Sequence, residues 1–413
     1  MSIDPRPAMT ASILSSDASK PKTPSPRRTL AAACGAHALH DGYTDLIYVL
    51  LPIWQTEFAL SYSALATLRG LYAGMTAGAQ LPASRLAERF GIGVVLAGGT
   101  VVAALGYLFA GFSGGLAGLL AALLLSGLGG ATQHPLASAA VSRAFGGGLT
   151  ARGPLGTYNF AGDIGKAALP AATALALMLL PWRDVLFFLA AIGLLCAPVL
   201  FLTLPGRGRR PAGVEQSKAG GGKGGFGLLL VIGILDCGVR MGLLTFLPFL
   251  LTAKGSGQAT IGLALALVFL GGAAGKLICG WFASRLGIIG TVLVTEALTA
   301  LGILALIDLP LLPAMILLPV LGVALNGTSS VLYGSVAELA PPGRTERAFA
   351  IFYSGTIGSG ALSPIFYGVI GDLFGVPWAT AATAAVALAT LPLALILAPR
   401  FSARFEPTAN GRA

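Results

Sequence analysis

The chain has 413 residues, of which 55% are hydrophobic and only 10% charged, with a mean hydropathy of +0.83. Soluble domains carry about 25% charged residues, so this composition excludes an ordinary soluble enzyme and points to lipid. The formal net charge of +10 would suit nucleic acid, but the cations sit in short segments between apolar runs, which fits membrane topology and excludes a nucleic-acid partner.

Residues 1–29 are rich in Ser, Pro, Lys and Arg and lack an apolar core. They read as a disordered tail rather than a secretory signal. Apolar runs of about 20 residues then recur, each long enough to cross the hydrocarbon as a helix. They predict about twelve spans, at 30–56, 62–84, 92–111, 116–140, 154–180, 183–204, 226–252, 258–284, 288–308, 311–340, 345–371 and 376–398. The segment 205–225 is basic and Gly-rich and reads as a cytoplasmic linker. It separates a six-helix bundle over 30–204 from a second over 226–399, followed by a tail at 400–413. The 58 glycines suit helices whose backbones approach closely in a bilayer.

The 26 Lys and Arg residues are placed asymmetrically. Outer loops hold Arg183 and Lys254, four more (Arg69, Lys166, Arg240, Lys276) fall within spans, and the rest lie on the side of the two tails. That asymmetry predicts cytoplasmic termini. Cys34, Cys196, Cys237 and Cys279 all fall within spans without Cys-x-x-Cys spacing. They read as small packing residues, not as disulfides or a metal site.

One pattern occurs twice at a fixed offset. Gln80 and the run Ser84 to Ile92 answer Lys276 and the run Gly280 to Ile288, while His40-Asp41-Gly42 answers Asp236-Cys237-Gly238. Duplicated membrane bundles bind their ligand where the halves meet, near the bilayer midplane.

Ionisable residues inside spans are costly and are functional candidates by default. His37, Asp41 and Asp45 share one face of the first span at i, i+4 and i+8, with His40 alongside. Two carboxylates on one buried face repel each other, which favours a proton on one of them. Asp41 and Asp45, helped by His37, His40 and His134, are therefore the candidate proton-coupling groups; the alternative is a hydrogen-bonded cluster that packs the helix. His134 precedes Pro135 and lies beside Gln133 in the fourth span. Asp163 and Lys166 are three apart in the fifth span, and Asp236 and Arg240 four apart in the seventh, so each pair is able to neutralise itself. Lys276 and Arg69 have no local partner in the sequence. Lys166, Arg240 and Lys276 are candidate contacts for an anionic substrate, because guanidinium and ammonium groups bind carboxylate and phosphonate. Glu88, Arg89, Arg285 and Glu338 lie at the inner ends of spans. There they suit a gate of ion pairs between rocking bundles, or simply helix ends and topology. No Gly-Lys-Ser/Thr phosphate loop, metal spacing or nucleophile–base motif is present. The expectation is therefore an ion-gradient device with no cofactor and no enzymatic activity.

The run Leu86-Ala87-Glu88-Arg89 with Gly91, its second copy at Gly280, Ala283, Arg285 and Gly287, and Ala337 to Pro341 followed by Arg344 resemble the signatures of the major facilitator superfamily. His37, His40, Asp41, Glu57 to Ser61, Gly127, Gly129, His134-Pro135, Val141 to Arg143 and Asn159-Phe160 resemble the fosmidomycin-resistance type of bacterial efflux protein. The resemblance implies a twelve-helix, two-bundle fold in a bacterial inner membrane. It further implies that Asp163, Lys166 and Lys276 meet at the moving interface, and that Glu296 sits on a peripheral helix in a structural role. Gln133, His134, Asn159, Asp163, Lys166, Asp236, Arg240, Lys276 and Asn326 form the candidate substrate set. The expected activity is proton-coupled export of a small organic compound by a monomer. Proton-coupled uptake of an anionic metabolite and a non-transporting sensor or scaffold are the alternatives.

Overall fold

The computed structural model describes residues 25–147, 150–204, 224–341 and 344–402. The tails and the linker expected at 1–29, 205–225 and 400–413 lie largely outside the described residues. The described chain is almost entirely helical: α1 (Pro26–Phe58), α2 (Tyr62–Gly78), α3 (Gln80–Phe90), α4 (Ile92–Gly111), α5 (Leu116–Gly130), α6 (Gln133–Ala144), α7 (Arg152–Ala176), α8 (Trp182–Thr203), α9 (Phe226–Ala253), α10 (Gln258–Asp308), α11 (Leu311–Leu339), α12 (Thr345–Phe374) and α13 (Val376–Ser402). These correspond to the expected spans. The second span is α2 plus α3, the fourth is α5 plus α6, and the range α10 holds the eighth and ninth, two helices that meet at a kink at Gly287.

The boundaries have local causes. Ser25 accepts a hydrogen bond from the Arg28 amide, and Pro26 takes the first helical position, so α1 starts earlier than its apolar run. Ser61 caps α2 in the same way through the Ala64 amide. The fourth span breaks at Ala131–Thr132, because Pro135 has no N–H for the carbonyl one turn back. Thr132 there donates to the Gly129 carbonyl at 2.9 Å. Gly91 (φ 97°) and Gly287 (φ 73°) turn the chain between the second and third spans of each half. They occupy equivalent places in the two sequence copies, and each adopts a conformation that a side chain would disfavour.

Packing within each half is tight enough to require small residues. A Cβ on Gly165 of α7 would lie 2.1 Å from the Ala38 carbonyl of α1, so these two helices cross backbone to backbone. The halves meet along α2 with α12, α7 with α10, and α1 with α9. At one end of the seam the Asp372 carboxylate, near the end of α12, accepts from the amides of Tyr62 and Ser63 at the start of α2, at 2.6 and 3.1 Å. Buried Leu50, Leu51 and Trp54 of α1 and Leu247, Phe249 and Leu250 of α9 belong to the core cluster beneath it. Toward the other end, where α1 begins and α3 ends, the halves part around a cavity.

Leu179, Leu202, Leu277, Leu312, Ile316 and Trp378 are exposed on the outside of the bundle. Such a surface belongs against hydrocarbon. Among the described residues eight helices are long and apolar enough to cross a bilayer on length and composition alone. α1 and α7 are less apolar, because they carry the polar side chains of the cavity.

Candidate functional site

The cavity has a volume of about 650 Å³. α1, α2, α6 and α7 line it from the first half, and α9, α10, α11 and α12 from the second. Asp41, Asp45, His134, Asn159, Asp163, Lys166, Asp236, Arg240, Lys276 and Asn326 all reach it, so most of the sequence-derived set converges on one hollow.

Asp41 is the hub of the first half. Its Oδ2 lies 3.2 Å from His37 Nε2 and 3.3 Å from Lys166 Nζ, and its Oδ1 lies 3.4 Å from His134 Nε2. Three helices thus deliver nitrogens to one carboxylate. The second ring nitrogen of His37, Nδ1, is 2.8 Å from the Tyr158 carbonyl. A carbonyl only accepts, so Nδ1 carries a hydrogen. In a neutral ring Nε2 is then itself an acceptor facing the carboxylate, so a proton placed between the two would turn the contact into a hydrogen bond. Tyr158 also stacks on the His37 ring, with centroids 4.1 Å apart. The aromatic ring and the carbonyl together fix the orientation that aims Nε2 at the acid.

The remaining charges pair across helices. Lys276 donates to both oxygens of Asp163, at 2.7 and 2.6 Å, joining α10 of one half to α7 of the other. Arg69 lies 3.9 Å from Asp45 and is buried over the rings of Tyr48 and Tyr72. In the second half Ser329 donates to Asp236 at 2.6 Å and accepts from Arg240 at 2.8 Å, so a hydroxyl stands between acid and base. Of the two pairs that the sequence allows to neutralise themselves, Asp236–Arg240 stays linked through Ser329, while Asp163 and Lys166 each take a partner on another helix. On a helix the three- and four-residue neighbours are adjacent, but a facing helix offered each group a closer partner. Lys276 and Arg69, partnerless in the sequence, have partners 113 and 24 residues away in the chain.

In three of the cavity's pairs the base is more exposed than its acid. The side chains of Lys166, His134 and Lys276 are 35%, 44% and 44% exposed, against 6% for Asp41 and 13% for Asp163. In these pairs the acid stands behind the base, so the wall presents nitrogen at Lys166, His134 and Lys276. Its chemistry suits an anion able to displace a carboxylate from an ammonium.

Besides His37, which reaches Asp41 from behind, two candidates stand apart from the cavity lining. His40 Nε2 pairs with Thr100 of α4 at 2.9 Å, and Gln133 is fully buried, donating to the Tyr158 hydroxyl at 3.1 Å. Both act on their neighbours from behind the wall. Glu88 and Arg89 are exposed on α3, and Glu338 is half-buried near the end of α11. Arg89 stacks on Phe90 and Arg285 on Trp281, each within its own helix. Glu88 and Arg89 close α3, and Glu338 stands next to the last residue of α11. His37, Asp41 and His134 have donor atoms within 4.8 Å of one another, a metal-like grouping among the described residues. The Lys166 ammonium 3.3 Å from the same carboxylate opposes a divalent cation there. The four cysteines are free thiols.

Tyr158 and Ser329 were not legible as site residues. A tyrosine and a serine in apolar spans are common, and their role here depends on which helix lies opposite.

A sequence profile of the Major Facilitator Superfamily matches residues 33–231 and 228–412. Human monocarboxylate transporter 11 is 28% identical over 383 residues, covering 90% of this chain and 75% of its own. A bacterial homolog of the human lysosomal transporter Spinster, solved inward-facing and unoccupied, superposes with a TM-score of 0.76 at 17% identity, covering 93% of this chain and 99% of that one. Its inward-facing, occupied structure gives 0.74 at 17% identity, covering 92% and 98%. A mutant of nucleoside transporter NupG gives 0.73 at 14% identity, covering 92% and 100%.

Proposed function

The chain belongs to the major facilitator superfamily and is a multi-pass membrane transporter, and from that premise we propose that it carries a small organic anion together with a proton by alternating access. The observation that carries the proposal is the contact between Asp41 and Lys166 inside the cavity. An anion that takes Lys166 removes the ammonium from Asp41. A buried carboxylate left without its cation is costly, and a proton is the simplest replacement. Anion and proton therefore favour each other's binding and leave the site together. Lys276 and Arg240 approach the same space from the second half, so a bound anion would draw the two bundles, 30–204 and 226–399, onto each other about the linker at 205–225. Such rigid-body rocking is how duplicated bundles alternate access.

Glu88, Arg89, Arg285 and Glu338 would close the open end by pairing across the seam. Cytoplasmic termini, as the distribution of cations suggests, make that end the inner face of a bacterial cytoplasmic membrane. The name of the human relative, a monocarboxylate transporter, agrees with an anionic substrate. The protein would work as a monomer without a cofactor.

Proton-coupled export, of the antiporter kind that the fosmidomycin-resistance resemblance implies, is the second possibility. It is favoured by His134 and Asn159, which carry that resemblance and line the cavity, His134 against Asp41. Transport in proteoliposomes under an imposed pH gradient separates the two, with a panel of radiolabelled carboxylates, phosphonates and organic cations. Movement of an anion with protons supports co-transport. Exchange of a compound against protons supports export, and no movement of any compound contradicts both.

A further inference from the structure

Glu296 lies on the stretch of α10 that follows Gly287, 2% exposed and away from the cavity lining. Its carboxyl faces the equally buried Asp236 of α9 and the Thr390 hydroxyl of α13. The sequence repeat supplies an independent reason for the first contact. The offset that relates Gln80 to Lys276 also relates His40 to Asp236 and Thr100 to Glu296. In the first half His40 and Thr100 are hydrogen-bonded at 2.9 Å. The equivalent positions in the second half face each other across the corresponding pair of helices, and both are acids.

Two carboxylates have only acceptors, so an oxygen-to-oxygen hydrogen bond between them needs a proton. The charges around the pair lead to the same requirement. Arg240 approaches through Ser329, and Cys237 lies beside it on α9. From the first half Asp45, Tyr48 and Lys166 act on Arg240 rather than on Glu296 directly. From α13 only the hydroxyl of Thr390 faces Glu296 among the described residues. One guanidinium thus serves two buried acids, and among the described residues no cation pairs with the second acid. The Thr299 hydroxyl, one turn further along α10, is buried without a hydrogen-bond partner among the described residues.

We propose that Asp236 and Glu296 form a second proton-binding site, in the C-terminal half, which exchanges its proton with the cavity through Asp236. It lies outside the Asp41 cluster, and it gives each half a bound proton of its own. Asp236 lines the cavity and is the only member of the pair that does, so it is the port, and Glu296 is the store. An anion drawn to Arg240 would loosen the Ser329 bridge and leave Asp236 more dependent on the shared proton.

The test is infrared spectroscopy of the full-length protein in lipid at neutral pH. The difference spectrum of wild type minus Glu296→Gln is expected to show a carboxylic-acid C=O band that downshifts in heavy water. Asp236→Asn is expected to abolish or displace the same band. Isotope-labelled glutamate incorporated into the wild type assigns the band without any substitution, so a variant that misfolds does not remove the test. A labelled-glutamate spectrum with carboxylate bands only, or an acid band unaffected by Glu296→Gln, overturns the proposal. Loss of this band would leave co-transport at Asp41 standing. Conversely, failure of co-transport would leave the band in place.

Discussion

Lys166→Gln tests the proposed competition directly, because it removes the ammonium that anion and Asp41 are taken to share. At 3.3 Å and an effective dielectric constant of about 20, the Lys166–Asp41 attraction is roughly 5 kcal/mol before desolvation is subtracted. Net of solvation, a hydrogen bond to a charged group is worth about 1.5–3 kcal/mol. Lys166 is about one-third exposed, so the lower figure applies, and anion affinity should fall roughly tenfold. A second effect follows at Asp41. Without the ammonium its carboxylate has lost its one permanent cation, so it keeps its proton through the cycle. Accumulation of anion against its gradient, driven by an imposed pH difference, should then disappear, while exchange of labelled for unlabelled anion persists. The two readouts are equilibrium binding of the labelled anion to purified protein and paired gradient-driven and exchange assays in proteoliposomes. Affinity within twofold of wild type together with undiminished pH-driven accumulation would refute the reasoning.

Asp163→Asn frees Lys276 from the carboxylate that now holds it through both oxygens. Lys276 is partly solvated, so the released interaction is about 1 kcal/mol, and KM for the anion should drop by roughly fivefold; an unchanged or higher KM would place Lys276 away from the substrate. Gly70→Ala puts a Cβ 2.3 Å from the Ala361 carbonyl, between α2 and α12 at the seam. The helices must part, and the protein should shift toward the conformation in which the sealed end opens, read as a longer spin-label distance across that end. Asp372→Asn removes the carboxylate from the start of α2 and should shift the same distance distribution, by a few-fold in population for about 0.5–1 kcal/mol. Identical distributions in both variants would mean that this contact does not hold the end closed.

The fold was legible because a bilayer allows few alternatives. Runs of apolar residues had to be helices, and a fixed offset had to be a duplication. The repeat even marked the turn glycines, since Gly91 and Gly287 hold equivalent positions and both adopt positive φ. Helix breaks were harder to see. Pro135 was visible, but whether it kinks or divides the span depends on the turn before it, here Thr132 folding back on the Gly129 carbonyl through both its amide and its hydroxyl. The site was legible as a list and not as a circuit. One-face spacing brought His37 to Asp41, a contact within a single helix. The partners of Lys166, Lys276 and Arg69 lie on other helices, and sequence spacing carries no information about which helix lies opposite. Glu296 shows the same limit from the other side. Its helix was expected to be peripheral, yet its side chain points inward to Asp236. Only the register of the repeat, through Thr100, held a trace of that contact.

The most direct measurement is lumenal pH in proteoliposomes, followed by a trapped dye, when a transported carboxylate is added outside without an imposed gradient. Wild-type protein should acidify the lumen in step with anion entry, and Asp41→Asn should exchange labelled anion with no acidification. Alkalinisation with the wild type, or acidification that survives Asp41→Asn unchanged, would contradict co-transport of anion and proton through Asp41.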